Sequence, residues 1–350
     1  MHYVFLIHGM GSSSTGWSKN AKKLIEDHYD KKAYAFLADF PLSDIKFVEI
    51  NYNDIFDAYL DEAKQHAADL GSWGKLVKTK DPTMSGVLGR IVGIAAKEPA
   101  KSFLITHLAD VAFFMATDLG WQVRARIAEQ MGAALKDLKA KDSWSIIAHS
   151  LGTRVATEVL QIGFTGAPSL ASFGKARFVM MVANTSYLLQ ELSPYNAGDV
   201  YTNIVYPARK AMGVCHRYIN VSHELDPFSF IKRFDPPSTW GNGEVFTQKL
   251  YHPILLQAKD LTSKEVHSLE HYLRHPQVHT TLFRFLVDPA GRLGPTEREM
   301  KAQMDIYTNE TLAAQITAAW RTSIAALRDG KFETAKEIFD TWEKFGALVS

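Results

Sequence analysis

The sequence predicts an α/β fold: a mostly parallel sheet of about six strands with helices on both faces. Three observations predict it. Short apolar runs alternate with longer amphipathic ones, as strand and crossover helix do in successive βα units. Two of the runs, "SIIA" and "FVMMV", are almost continuously apolar, the pattern of strands covered on both faces. The apolar share is 46% of 350 residues, with 20 Phe and 7 Trp, enough to fill a large core.

Taken in order, the candidate strands are residues 3–7, 46–50, 143–148, 177–182, 216–221 and 254–258. The first, "YVFLI", runs at once into the glycine turn "HGMG". A secretory signal would need a basic start and about 7–15 apolar residues, so this stretch reads as the opening strand of the fold. "WSKNAKKLIEDHY" after the first strand and "TRVATEVLQIGF" after the third have helical patterns, the latter with Val155, Val159 and Leu160 on one face. Strand, helix and parallel strand connect by right-handed crossovers.

Two stretches are too long for a single crossover, about 52–142 and about 187–212. The first holds the apolar, glycine-punctuated "TMSGVLGRIVGIAAKEPAKSFLITHLADVAFFMA" and reads as a helical cap insertion; ordinary packing insertions are the alternative. Past residue 295 the pattern changes. Leu312, Ile316, Trp320, Ile324 and Leu327 recur at helical spacing, Gly330 punctuates, and Phe332, Ala335, Ile338, Phe339 and Trp342 follow. The expected organisation is a main domain over 1–295 carrying both insertions, and a C-terminal helical hairpin over 296–350. That hairpin is expected to pack on the main domain, or to mediate a homodimer.

Composition narrows the function classes. Lys plus Arg (39) nearly equals Asp plus Glu (38), so the chain lacks the basic footprint of a nucleic-acid binder. Cys215 is the one cysteine, which excludes an intrachain disulfide and suits a reducing, cytoplasmic setting. The longest apolar stretch is broken by His107, Asp110 and Asp118, short of the roughly 18 uncharged residues of a membrane span.

The stretch that carries chemistry is "IIAHSLGT". A serine hydroxyl is a poor nucleophile until a base takes its proton, and it must be exposed beside a backbone N–H that can hold an oxyanion. A sharp strand-to-helix turn meets both needs, and it requires small residues two before and two after the serine. Ala148 and Gly152 flank Ser150 in that way, with His149 and Leu151 between. The alternative is a serine that merely N-caps the following helix. The glycine turn after the first strand, Gly9-Met10-Gly11, provides a strand-end loop for a second donor. The oxyanion donors are then the amides of Met10 (or Gly11) and Leu151. A dinucleotide turn is excluded because Ser14 stands where the third glycine belongs, and no lysine follows in P-loop register.

On "LIHGMG" and "IIAHSLGT", residues 1–290 resemble the α/β-hydrolase superfamily. The resemblance implies a chain order of serine, acid, histidine. It points to Asp226, in the Asp-Pro turn after "CHRYINV", as the acid, with Glu224 as understudy; an ordinary turn-initiating Asp-Pro is the bland reading. It points to His267 as the base, because "VHSLEHYLRHP" resembles the His-x-x-x-x-Tyr-Leu segment of some esterase-like members. His271 is the alternative. His275 and His279 fall too late, as surface or helix residues, with Pro276 opening a helix over 277–287. The four-residue spacing of these histidines imitates a metal face, but Pro276 breaks it and no other ligand pattern completes it, so no metal and no cofactor are expected. His8 is expected to shape the glycine turn, and His149 and Trp17 to line the substrate pocket with Gly9 and Gly11.

The implied activity is a serine hydrolase cleaving carboxylic esters, with lipid or acyl-chain esters among the candidate substrates. Its partners are then a small-molecule or lipid ester, with transient contact to a membrane surface but no stable insertion. Thioesterase or acyltransferase chemistry would use the same residues, and a non-catalytic binding module of the same fold is the rival from another class.

Overall fold

The computed structural model describes residues 1–9, 15–58, 119–165, 170–187, 204–209, 213–226, 233–236, 240–261 and 266–308. Six strands form within them: β1 (His2–Ile7), β2 (Ile45–Ile50), β3 (Ser143–His149), β4 (Val179–Val182), β5 (Tyr218–His223) and β6 (Tyr251–Leu256). All pair in parallel, in the order β2-β1-β3-β4-β5-β6. The class expected from the sequence is therefore the class found, an α/β fold with a parallel sheet.

Strand residues alternate between two cores. Phe5, Ile7, Ile146, Ala148, Val179 and Met181 face α2 (Leu119–Leu135) and α3 (Leu151–Thr165). Val4, Leu6, Ile147, Met180 and Val182 face α1 (Lys19–His28), α4 (Leu269–Arg274) and α5 (Pro276–Val287). The period of two in a strand is what lets one sheet fill both layers. Each fully buried Leu, Ile, Val, Met or Phe contributes about 1.5–3 kcal/mol.

The sheet corrects several sequence-derived boundaries. Helix α2 lies inside the stretch assigned to a cap, yet it covers the sheet: Leu119, Val123, Ile127, Met131 and Leu135 fall on one face and are all buried in the first core. Tyr52 and Phe56, at the start of that stretch, are in the same core. Residues 59–118, with the apolar run expected of a cap, lie outside the described residues. So do 188–203 and 210–212 of the second insertion, and 309–350 of the C-terminal hairpin. Strand β5 is shifted two residues later than expected. Strand β6 starts three residues earlier and takes in Pro253, which an edge strand accommodates because its outward side needs no ladder donor.

Helix α3 is tied to α2 by charge. Arg154, 1% exposed, bonds Glu158 Oε1 at 2.7 Å, and Arg124 on α2 bonds Glu158 Oε2 at 2.5 Å. A last helix, α6 (Glu297–Thr308), starts at a capping box in which Thr296 and Glu299 exchange bonds. It lies on the main body: Tyr307 donates to the Asp260 carbonyl at 2.5 Å, and Glu299 accepts from the Ala35 amide at 2.7 Å. No helix among the described residues is long and apolar enough to cross a membrane.

The topology marks where a site belongs. From β1 the chain moves to β2 on one side, then returns across β1 to β3 and continues outward to β6. The carboxyl ends of β1 and β3 are thus adjacent strand ends whose connections leave in opposite directions, the crevice where open α/β sheets bind ligands.

Candidate active site

Ser150 follows β3 directly and opens into α3 with φ of 55°, a left-handed backbone rare for a side-chain-bearing residue. The turn is held from all sides. The Ser150 amide donates to the Val182 carbonyl at 3.0 Å. The Ser150 carbonyl accepts from the Thr153 amide at 2.9 Å, the Thr153 hydroxyl at 2.7 Å and the Thr185 hydroxyl at 3.0 Å. Thr185 is itself anchored, its amide donating to Thr153 Oγ1 at 3.0 Å.

Two glycines make the close approach possible. A Cβ at Gly152 would lie 2.2 Å from the His8 carbonyl oxygen and 2.8 Å from that of Ile7, so the start of α3 packs backbone to backbone against the end of β1. A Cβ at Gly9 would lie 2.6 Å from Ser150 Cβ and 3.1 Å from its Oγ. The end of β1 therefore abuts the serine hydroxyl. Leu151 is the first residue of α3, and its N–H has no acceptor within the helix. Met10 and Gly11 lie outside the described residues.

His267 Nε2 is 2.8 Å from Ser150 Oγ, and its Nδ1 is 2.8 Å from Asp226 Oδ2. The three side chains, 76 and 41 residues apart in the chain (150 to 226, 226 to 267), form one hydrogen-bonded line. Local structure aims each of them. Asp226 stands in the turn three residues beyond β5, its amide donating to the His223 carbonyl at 3.1 Å. His267 immediately precedes Ser268, the N-cap of α4, whose hydroxyl accepts from the His271 amide. His149 Nε2 donates to the His267 carbonyl at 2.6 Å, so the residue beside the serine also fixes the backbone of the histidine.

Asp226 is 0% exposed. Burial opposes its charge, but the His267 ring and hydrogen bonds from His267 and Tyr272 outweigh it and hold the carboxyl below its ordinary range. The Tyr272 hydroxyl donates to Asp226 Oδ2 at 2.5 Å.

The remaining predicted residues take other places. The His8 carbonyl accepts from the Tyr52 hydroxyl, and His8 Nδ1 donates to the Gly9 carbonyl. The His8 ring stacks on Tyr52 at 4.0 Å and meets Trp17 edge-on at 5.1 Å. Burial pushes the His8 imidazole down to about 4, so it is neutral near pH 7 and acts as a fixed donor on the turn. Trp17 is half-buried and its indole donates to the Ile50 carbonyl at 3.1 Å, which ties the chain after the glycine turn to the end of β2. Glu224 lies in the turn after β5 and donates its amide to the Leu256 carbonyl at 2.9 Å.

The other histidines separate. His271 lies one turn along α4, its ring 5.2 Å from that of His223. His275 and His279, expected as surface or helix residues, are the N-cap and an interior residue of α5, and both are buried, at 3% and 1% exposed. His275 N-caps α5, its Nδ1 accepting from the Gln277 amide with Pro276 at the first helical position. His279 bonds the Tyr34 hydroxyl at 2.7 Å and stacks on His28 at 4.5 Å. Among the described residues no group of three or more His, Cys, Asp or Glu could hold a metal ion.

Sequence reasoning passed over Thr153, Thr185 and Tyr272. Tyr272 had a signal, since it is the tyrosine of the His-x-x-x-x-Tyr-Leu segment. Thr153 had a weaker one, a threonine three residues past the serine, where a hydroxyl reaches back to a carbonyl. Thr185 had none, because only the fold brings β4's end beneath the turn. No protein-family model, no curated protein and no solved structure matches the chain.

Proposed function

We propose that the protein is a serine hydrolase of the α/β-hydrolase kind that cleaves carboxylic esters, with Ser150 as nucleophile, His267 as base and Asp226 as the orienting acid. The observation that carries the reading is the unbroken line from Asp226 through His267 to a serine held at φ 55° at the switch point of the sheet.

In the first step Ser150 Oγ attacks the acyl carbonyl carbon while its proton passes to His267 Nε2. The carbonyl π pair becomes an oxyanion facing the Leu151 amide, with the glycine turn of β1 supplying the second donor. Collapse of that intermediate breaks the ester C–O bond, and the leaving alkoxide takes the proton from His267. Water then gives its proton to the same nitrogen and attacks the acyl carbon; collapse breaks the bond to Ser150 Oγ, which takes the proton back from His267, and the acid is released. Asp226 stays ionised throughout and steadies the imidazolium. A lipid or long-chain acyl substrate belongs to this proposal only as its extension, because the apolar residues 103–115 that would receive it lie outside the described residues.

The test is covalent labelling with a fluorophosphonate. Wild type labels, and Ser150→Ala and His267→Ala lose the label, whereas His271→Ala keeps it. Folded wild type that stays unlabelled replaces this reading with the non-catalytic module.

A further inference from the structure

A cavity of about 560 Å³ opens at the opposite rim of the sheet from Ser150, where β5 and β6 begin. Arg209, Arg217, Lys249 and Arg284 line it, and among the described residues no aspartate or glutamate does. An adjoining cavity of about 390 Å³ shares Arg284 and adds Arg292. Pockets of a few hundred cubic ångströms are the size that receives small organic ligands.

Among the described residues no carboxylate hydrogen-bonds Arg217 or Arg284, whereas Arg292 pairs with Asp288 at 3.7 Å. Arg217 is 7% exposed; its terminal nitrogens reach only carbonyls, those of Ala290 at 3.0 Å and His216 at 3.4 Å. Its buried Nε has no hydrogen-bond partner among the described residues. Arg284 Nε donates to the Gly291 carbonyl at 2.9 Å. Both guanidinium groups lie 5.7 Å from the Phe285 ring centre. The nearby Asp288 carboxylate is taken up by the amides of Ala290, Arg292 and Leu293. His252 adds no charge of its own near pH 7: burial, then Arg217 and Arg284, push its ring down to about 4. Its buried Nε2 also has no partner among the described residues. Like charges gathered in a half-enclosed pocket repel one another, and an anion is what offsets them. Arginine forks match phosphate oxygens two at a time.

We propose that this cavity is a binding site for a phosphate monoester, separate from the serine site, with Arg217 and Arg284 holding the phosphate and Arg209 and Lys249 at its lip. The volume leaves room for an organic body beside the phosphate, and Phe285 and Tyr251 offer it ring surface.

The experiment measures binding of phenyl phosphate by calorimetry, and binding to phosphatidylcholine vesicles with and without phosphatidylinositol 4-phosphate. It compares wild type with the double variant Arg209→Gln/Lys249→Gly. Both positions are exposed, and Lys249 has φ of 51°, which glycine accepts, so the variant folds. The full-length Arg284→Gln variant is the second probe. Saturable binding in either arm, weakened about tenfold or more in both variants and reduced by salt, supports the site. The arm that responds tells a free monoester from a lipid headgroup. Binding in neither arm, or equal affinity in wild type and variants, overturns it. Fluorophosphonate labelling stays unchanged in the double variant, which separates failure of this site from failure of the serine site.

Discussion

Tyr272→Phe isolates one hydrogen bond at the buried end of the proposed triad. The ring of Tyr272 is 0% exposed and keeps its packing as phenylalanine; what disappears is the hydroxyl 2.5 Å from Asp226 Oδ2. That oxygen also takes the His267 Nδ1 proton at 2.8 Å, so the substitution removes one of two donors converging on a single atom. A hydrogen bond to a charged acceptor contributes about 1.5–3 kcal/mol. Unfolding entropy of about 2.1 cal/mol/K per residue gives this 350-residue chain about 1.4 °C per kcal/mol, so Tm at pH 7 falls by about 2–4 °C.

The sign with pH follows from linkage. The Asp226 carboxyl is held below its ordinary range in the folded chain, despite burial, by His267 and by the bonds from His267 and Tyr272. Its contribution is therefore fully present above the unfolded pKa, about 3.9, and is lost as pH falls through the folded value. Removing the Tyr272 donor raises the folded value, so the deficit is largest at neutral pH and shrinks as acid protonates the carboxyl in both proteins. Thermal scans of wild type and variant from pH 7 down to about pH 2, through the range below the unfolded pKa where the carboxyl protonates, make the comparison. A deficit of constant size at every pH would mean that lost packing, not a lost donor to a carboxylate, is responsible. No deficit at pH 7 would refute the contribution altogether.

Two further substitutions probe other links. Gly9→Ala sets a methyl 2.6 Å from Ser150 Cβ and forces the serine off His267. Fluorophosphonate labelling should slow about a hundredfold, as for a roughly 1 Å misplacement, while stability falls by only about 1–3 kcal/mol; an unchanged labelling rate would mean that β1's end does not constrain the hydroxyl. Glu158→Ala removes the carboxylate shared by Arg154 and Arg124 and should cost about 3–5 kcal/mol, read as a Tm drop; a drop below 1 kcal/mol would mean that solvent reaches Arg154.

How much of this was legible depended on whether the signal was local. The strands β1 and β3 showed as apolar runs ending at glycine and serine, because both faces are buried and nothing interrupts them. The edge strand β6 was misplaced because Pro253 and its half-exposed pattern do not look like a covered strand. The sheet-covering role of α2 was written in Leu119, Val123, Ile127, Met131 and Leu135, an interval of four that drifts slowly around a helix, but it was obscured by the long insertion before it. Ala148 and Gly152 on either side of Ser150 could be read, since the spacing is short. Thr185 could not, because it acts across 35 residues; Tyr272, acting across 46, stood in a quoted segment but nothing local tied its hydroxyl to Asp226. The buried histidines were missed for the same reason, as His279 sits on α5's apolar side with its nitrogens satisfied by Tyr34 and Leu273.

The N-cap alternative for Ser150 is decided by where its atoms point. A capping serine keeps an extended backbone and turns its hydroxyl oxygen to the amide two or three residues on. Ser150 does neither. Its φ is 55°, and the Thr153 amide that a cap would claim bonds the Ser150 carbonyl instead, at 2.9 Å. The hydroxyl is left to His267 at 2.8 Å. A left-handed non-glycine residue costs about 1–3 kcal/mol and persists only where its surroundings over-determine it. Here the donors on the carbonyl from Thr153 and Thr185, and the amide bond to Val182, do so. A serine needed only as a cap would have no reason to sit in that strain, because relaxing to an extended backbone would recover the cost and keep the helix. The conformation is explained by what it achieves, which is to lift Oγ clear of α3 and present it to the one imidazole that Asp226 holds in place.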